Sequence, residues 1–321
     1  MKKLLFTLLL LLFISNTFAQ DYQKVDATVK KYPRSFTNAN RLAERINNDF
    51  TREDEKARAI FTWIALNIRY DLASVGKAQK RVGFSYSSEE ERIAKQQKMK
   101  DDLANTTLHS KKGVCQGYST LFMILAEKVG LEAVLISGTA KSHPSHIGRF
   151  PDITDHAWNA VKINNEWKLV DVTWGAGAVI GNTQKFEFRF NDKYFLTDPE
   201  VFVLNHYPDN DTWLFANTTK KQFAQLPLYY GNYHMGGYEL LTPTTGIFTP
   251  KQGTLKVKIK NVKPTDEIAY VFVENKQFKL VEPTFNNGIA EFEVPLTATS
   301  LGILTIYINE KSVLSYKINK S

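Results

Sequence analysis

A single cysteine, Cys115, occurs in the 321 residues. An internal disulfide framework is therefore excluded, and so is a zinc site built on paired thiolates. The sequence carries no cluster of acidic oxygen ligands of the kind that holds calcium, and no His-Glu-x-x-His pattern. The glycine-rich stretch Gly175-Ala176-Gly177-Ala178-Val179-Ile180-Gly181 lacks the spacing and the following Lys-Ser/Thr of a phosphate loop, and reads as a flexible turn near the cleft. No cofactor is implied by any of these patterns. The apolar run at residues 4–14 has 11 residues, too few to span a bilayer that asks for roughly 20.

That short run has another meaning. Lys2 and Lys3 precede it, and Thr17-Phe18-Ala19 closes it with a small residue, so residues 1–19 read as a secretory signal cleaved before Gln20. No cysteine follows to carry a lipid anchor. The expectation is an exported protein, periplasmic or secreted, without stable membrane insertion. Loss of Lys2 and Lys3 takes the formal charge from +8 to +6. Such an excess favours anionic cell-surface polymers only weakly, and nucleic acid is not an expected partner. A lone thiol in an oxidising compartment calls for a reason, and a reactive role supplies one.

Cys115 sits in Gly113-Val114-Cys115-Gln116-Gly117-Tyr118, ahead of Leu121, Phe122, Leu125, Ala126 and Val129, which fall on one face of a helix stopped by Gly130. The cysteine thus lies in or just before the first turn. Unpaired N–H groups and the helix dipole favour a thiolate there and suit an oxyanion. The competing reading is an inert, buried thiol acting as a small hydrophobe.

Two later segments weigh toward the reactive reading. Residues 157–163 and 166–173 read as strands joined by Asn164-Asn165. With a two-residue loop, opposed positions sum to 329, so His156 faces Thr173, Asp171 faces Trp158, and Asp171 lies diagonally across from His156 on a shared face. A loop of odd length would separate them. A carboxylate orienting an imidazole beside a cysteine is a working unit for nucleophilic catalysis. Taken singly, His156 is as well read as a sheet histidine and Asp171 as a turn cap.

At this point the chain resembles the transglutaminase-like superfamily. The likeness is carried by Gly113 to Tyr118, by His156-Ala157-Trp158-Asn159, and by Trp167-Lys168-Leu169-Val170-Asp171-Val172-Thr173-Trp174. Flanks extend it: Phe61-Thr62-Trp63-Ile64-Ala65-Leu66-Asn67-Ile68-Arg69-Tyr70-Asp71 upstream, and Tyr194-Phe195-Leu196-Thr197-Asp198-Pro199-Glu200, His206-Tyr207-Pro208 and Trp213 downstream. These flanks are more similar to the kyphoscoliosis-peptidase branch than to animal tissue transglutaminases. The resemblance implies a papain-like α+β core over roughly residues 40–215, with Cys115 as nucleophile, His156 as general base then acid, and Asp171 as orienter. It also implies acyl chemistry on amide bonds without fixing the substrate, since the family includes peptidases, amidases, crosslinking enzymes and inactive scaffolds. Gln116 and Tyr118 beside the cysteine, with Trp158 and Trp174 beside the other two, are the candidate substrate contacts. For the tryptophans core packing is an equal reading.

The remaining pattern completes the organisation. Ala39, Leu42, Ala43, Ile46 and Phe50 form a helical stripe, and Thr51 with Asp54 suggests a helix start ahead of Ala57, Ile60, Phe61, Ile64 and Ile68, with Trp63 packed nearby. Residues 87–102, rich in lysine and opening on Glu89-Glu90-Glu91, read as a solvated insertion or exposed helix. A strand at 133–139 leads to the polar loop of His143 and His146. These two, with Asp152 or Asp155, form a weak metal candidate interrupted by Pro144, and a mobile rim over the cleft is the preferred reading. From about Thr242 apolar residues alternate: Leu255, Val257, Ile259; Ile268, Tyr270, Phe272; Ile289, Phe292, Val294; Leu304, Ile306, Ile308; Leu314, Tyr316, Ile318, with a turn at Asn309-Glu310-Lys311. That is a β-sandwich of immunoglobulin-like size, expected over 242–321 after a catalytic domain over 20–241. The expected partner is a protein or peptide substrate, cell-wall peptides included. Hydrolysis is the preferred outcome; protein-glutamine crosslinking and non-catalytic peptide holding are the alternatives.

Overall fold

Apolar residues at helical spacing build the first half as helices at Gln23–Val29, Ala39–Asp49, Glu53–Asn67, Glu89–Ser110 and Cys115–Lys128. The structure is a computed structural model and describes residues 22–75, 84–180, 184–249, 253–274, 276–297 and 300–319. The leader at 1–19 and Gly181 lie outside the described residues. Helix Ala39–Asp49 is capped by the Asn38 side chain, which accepts from Arg41 N–H, and buries Ala39, Leu42, Ala43 and Ile46. The start expected at Thr51 is different. Arg52 is the N-cap of Glu53–Asn67 with no side-chain cap, and the Asp54 carboxylate accepts from Arg52 Nη2 at 2.8 Å instead. Glu53, Asp54 and Glu55 in the first turn complement the helix dipole.

Helix Glu89–Ser110 is capped by Ser88 and leaves its first half in solvent, as its charge pattern demands. Its end packs on the cysteine helix through Ala104, Thr107 and Leu108. This explains the glycines around Cys115. A Cβ at Gly117 would lie 2.8 Å from Thr107 Oγ1, and one at Gly113 would lie 3.1 Å from Thr107 Cγ2. Behind these helices Arg58 is buried, with Nε and Nη2 donating to Asp26 at 2.8 and 2.7 Å.

The helices cover one face of a five-stranded antiparallel sheet ordered Phe195–Thr197, Glu166–Val170, His156–Ile163, Ala133–Ala140, His206–Pro208. The Asn164-Asn165 loop has two residues, both at positive φ (50° and 65°). That is the turn whose twist suits a hairpin. Pairs from Ile163↔Glu166 to Asn159↔Val170 follow the expected register. The second strand, expected to reach Thr173, ends at Val170: Asp171 leaves the ladder and caps a short helix, Val172–Ala176. His156 therefore has no ladder partner at Thr173. Alternation still holds, with Val161 and Ile163 in the helix-side core and Trp158 and Ala160 on the opposite face with Ile136, Leu169 and Phe202.

Close approach, not flexibility, explains the glycine-rich stretch read as a turn. Gly175 lies in the short helix, where a Cβ would meet the Phe61 ring at 2.4 Å. Gly177–Ile180 is a strand paired with Lys185–Phe188. Gly138, in the middle of the sheet between His156 and Pro208, is tighter: a Cβ would lie 2.2 Å from Tyr207 O and 2.5 Å from the Trp158 ring.

The C-terminal part is a β-sandwich with its own core, including Val257, Ile268, Val294, Leu304, Leu314 and Tyr316. One sheet runs Leu228–Tyr229, Lys311–Ile318, Gly302–Ile308, Ile268–Phe272, Lys279–Val281, with Ile247–Phe248 also on Lys311–Ile318; the other runs Glu239–Thr242, Gly253–Lys260, Ile289–Leu296, Thr284–Asn286. Strands upstream of Thr242 thus join both sheets. In Ile289–Leu296 the buried face is Ala290, Phe292, Val294 and Leu296, and Ile289 points the other way. The turn before the last strand is Asn309-Glu310 alone, because Lys311 already pairs with Ile308.

Two substitutions test this packing by urea unfolding. Asp26→Ala strands a buried guanidinium and is expected to cost about 3–5 kcal/mol. Gly138→Ala overpacks the sheet centre and is expected to cost about 1–3 kcal/mol. Wild-type midpoints in both variants would refute the assigned roles.

Candidate active site

Cys115 is the first residue of helix Cys115–Lys128, and its N-cap, Val114, offers no side-chain hydrogen bond. The helical ladder opens with Tyr118 N–H donating to Val114 O at 3.2 Å, so the amides of Cys115, Gln116 and Gly117 precede it. The thiol is half-buried. His156 opens its strand at the same end of the sheet, buried with its neighbours.

Asp171 is fully buried and its carboxylate is filled. Oδ1 accepts from Thr173 N–H (2.9 Å) and Trp174 N–H (3.0 Å). Oδ2 accepts from His156 Nε2 (2.7 Å) and from His206 Nε2 (2.9 Å). A carboxylate only accepts, so each imidazole carries its proton on Nε2. Nδ1 of His156 takes no part in these bonds, and Cys115 is near enough for its hydrogen bond and charge to act on the ring. Burial alone would push the His156 pKa down, but the charge and hydrogen bond of Asp171, and then the hydrogen bond and charge of Cys115, raise it to about 10. Burial likewise opposes ionisation of Asp171, yet His156, by charge and hydrogen bond, and then His206 hold its pKa below the usual carboxylate range. Both shifts favour the charged pair of imidazolium and carboxylate.

A cleft of about 430 Å³ opens on this cluster. Its walls include His156, Trp174, Tyr70, Phe186, Tyr194, Tyr230 and the hairpin residues Gly177, Ala178 and Val179. Tyr70 lies near enough to Cys115 to feel its charge; burial first, then Cys115 and Asp171, raise its pKa to about 12. Of the expected substrate contacts, Gln116 is exposed beside Cys115. Trp174 is half-buried in the cleft wall, its ring centre 5.6 Å from that of His156. Tyr118 and Trp158 are placed differently. Tyr118 is in the core with its hydroxyl donating to Ile68 O. Trp158 is 1% exposed and packs against Phe202 and His206 behind the sheet.

His143 and His146 stay on the rim. His146 Nδ1 meets Ala140 O at 3.2 Å and His143 Nδ1 meets Ser145 Oγ at 2.8 Å. Pro144–His146 is an ordered turn of 3-10 helix. Among the described residues the cluster with metal-like spacing is His156, Asp171 and His206, but their facing atoms are joined by N–H···O bonds that an ion would have to break. His206 was visible in the sequence only as part of a flanking motif. A histidine two strands away in the sheet gives no spacing signal.

Residues 40–172 match the Transglutaminase-like superfamily, so the chain carries a transglutaminase-like domain, in which the cysteine helix packs on the strand that His156 opens. It is 29% identical over 248 residues to the kyphoscoliosis peptidase of Mus musculus, covering 76% of this chain and 34% of that protein. With the kyphoscoliosis peptidase of Homo sapiens it shares 32% over 215 residues, covering 66% and 30%. The chain thus spans about a third of the length of these relatives. A solved TGase structure overlaps 57% of this chain and 40% of its own at 19% identity and a TM-score of 0.30, too low an overlap to add to a functional reading.

The titrations give a signed prediction. A histidine whose pKa rises on folding adds stability in full below its ordinary value of 6.5, and the gain is lost as pH climbs through about 10. The depressed Asp171 does the reverse, its contribution vanishing only in acid. The unfolding free energy of wild type minus that of His156→Gln should therefore shrink between pH 7 and pH 10. A difference independent of pH would contradict the charged pair.

Proposed function

We propose that this protein is a thiol enzyme that cleaves amide bonds through a cysteine acyl-enzyme. The observation that carries the reading is the pairing of His156 with a buried, fully bonded Asp171 while its other nitrogen serves a cysteine at a helix N-terminus. In this mechanism Cys115 Sγ attacks the amide carbonyl, and the amide N–H groups at the helix start support the oxyanion. The C–N bond breaks as His156 protonates the departing amine. Water then gives a proton to His156 and attacks the thioester, the C–S bond breaks, and a carboxylic acid leaves.

The aromatic wall of the cleft suits a protein or peptide segment carrying apolar side chains. The peptidase names of the similar mouse and human proteins agree with hydrolysis. An amine in place of water would make the same intermediate a transferase. Export is part of the proposal and comes from residues 1–19; among the described residues no helix is long and apolar enough to cross a membrane. An exported enzyme would meet cell-wall peptides and surface proteins.

The first test is mass spectrometry after brief iodoacetamide treatment at mildly acidic pH. Wild type should take one label at Cys115, and His156→Ala and Asp171→Asn should slow it, with turnover of a responsive amide falling about 10²–10⁴-fold. Equal labelling in all three proteins would instead favour a peptide-holding protein without catalysis. Product mass in the presence of a primary amine then separates acid release from amine transfer.

A further inference from the structure

The second imidazole on Asp171 is the feature that a Cys-His-Asp unit does not require. His206 comes from the edge strand His206–Pro208, whereas His156 and Asp171 come from the hairpin. Its ring is completely buried, stacked on Phe202 at 4.1 Å with planes 21° apart, and set 4.6 Å from Trp174 and 5.2 Å from Trp158. This packing fixes where Nε2 points, 2.9 Å from the same oxygen that serves His156. We propose that His206 is a positioning residue of the site: its Nε2–H holds Oδ2 of Asp171 in place and divides the charge of the carboxylate between two imidazoles.

The division has a chemical effect. With both helix amides on Oδ1 and one imidazole on Oδ2, a free lone pair would remain on the oxygen facing His156. That oxygen would bind the His156 proton more tightly, and a tighter proton is a poorer acid toward the leaving amine. A second N–H donor removes that excess. Only a neutral donor can do this without repelling the imidazolium. Nδ1 of His206 also lies 3.3 Å from Phe202 O, which favours a second proton, but burial first, with the charge of His156 beside it, pushes the His206 pKa below its ordinary value against Asp171 and that carbonyl. The other titratable groups around the cluster are Cys115 and Tyr70 on the helix side, Asp155 at the mouth, and Tyr194 and His234 behind. Burial raises Tyr194 and lowers His234 to about 3, so both stay neutral through the working range.

The inference builds on the enzyme reading, and its test is separable from it. Nitrogen NMR of the wild-type full chain reads the His206 tautomer directly; it should be neutral with the proton on Nε2 at pH 7 and above. A proton on Nδ1, or a charged ring, overturns the proposal whatever Cys115 does. His206→Phe keeps the aromatic stack and removes the donor, and should raise the titration midpoint of His156 by about one pH unit, with the alkaline limb of Cys115 alkylation moving alongside. His206→Gln returns an N–H near the same point and should restore both. A folded His206→Phe with a wild-type His156 titration, or a Gln variant displaced as far as Phe, also overturns it. Wild-type labelling that ignores His156→Ala would defeat the enzyme reading while leaving the tautomer and His156 titration results to judge His206.

Discussion

The Asp171 carboxylate holds the site together because it has no solvent to fall back on. A buried anion is costly unless every lone pair is taken, and here two backbone amides and two imidazoles take them. Each donor comes with a constraint on the fold. The amides require the chain to leave the sheet at Val170 and turn into a helix; the imidazoles require two separate strands to begin at the same end of the sheet. The geometry of the sheet end follows from satisfying one side chain.

That dependence explains the unusual tightness nearby. Gly138 brings the strands of His156 and His206 within reach of each other, and Gly175 lets the helix capped by Asp171 press on Phe61. Thr107 sets the small residues on either side of Cys115 from a helix that is otherwise mostly solvated. The glycines around the site thus belong to packing as much as to chemistry.

The sequence disclosed periodic features well. Helical stripes, the Asn164-Asn165 turn and the alternation of the sandwich are local, and the hairpin register as far as Asn159↔Val170 follows from them, although Asp171 itself reaches His156 from outside the ladder. Strand ends were harder: 166–173 looks uniformly strand-like, and only the capping of Val172–Ala176 by Asp171 stops it at Val170. Tyr118 and Trp158 share a helix side and a strand face with Cys115 and His156, yet lie one step further from the sheet end, where other elements cover them: Tyr118 bonds to Ile68 O, and Trp158 packs against Phe202 and His206. His206 was beyond reach for the opposite reason: its relation to Asp171 exists only through the order of strands in the sheet.

The origin of the cluster in four distant stretches of chain also bears on when the proposed site comes into being. Residues 115, 156, 171 and 206 meet only after the cysteine helix has packed on the sheet and the edge strand His206–Pro208 has paired with Ala133–Ala140, so the contacts of the cluster are among those of long sequence separation. Under the proposed reading, a nascent or partly folded chain would carry an ordinary cysteine, and completion of the sheet would make the nucleophile, shielding the protein from its own chemistry until then.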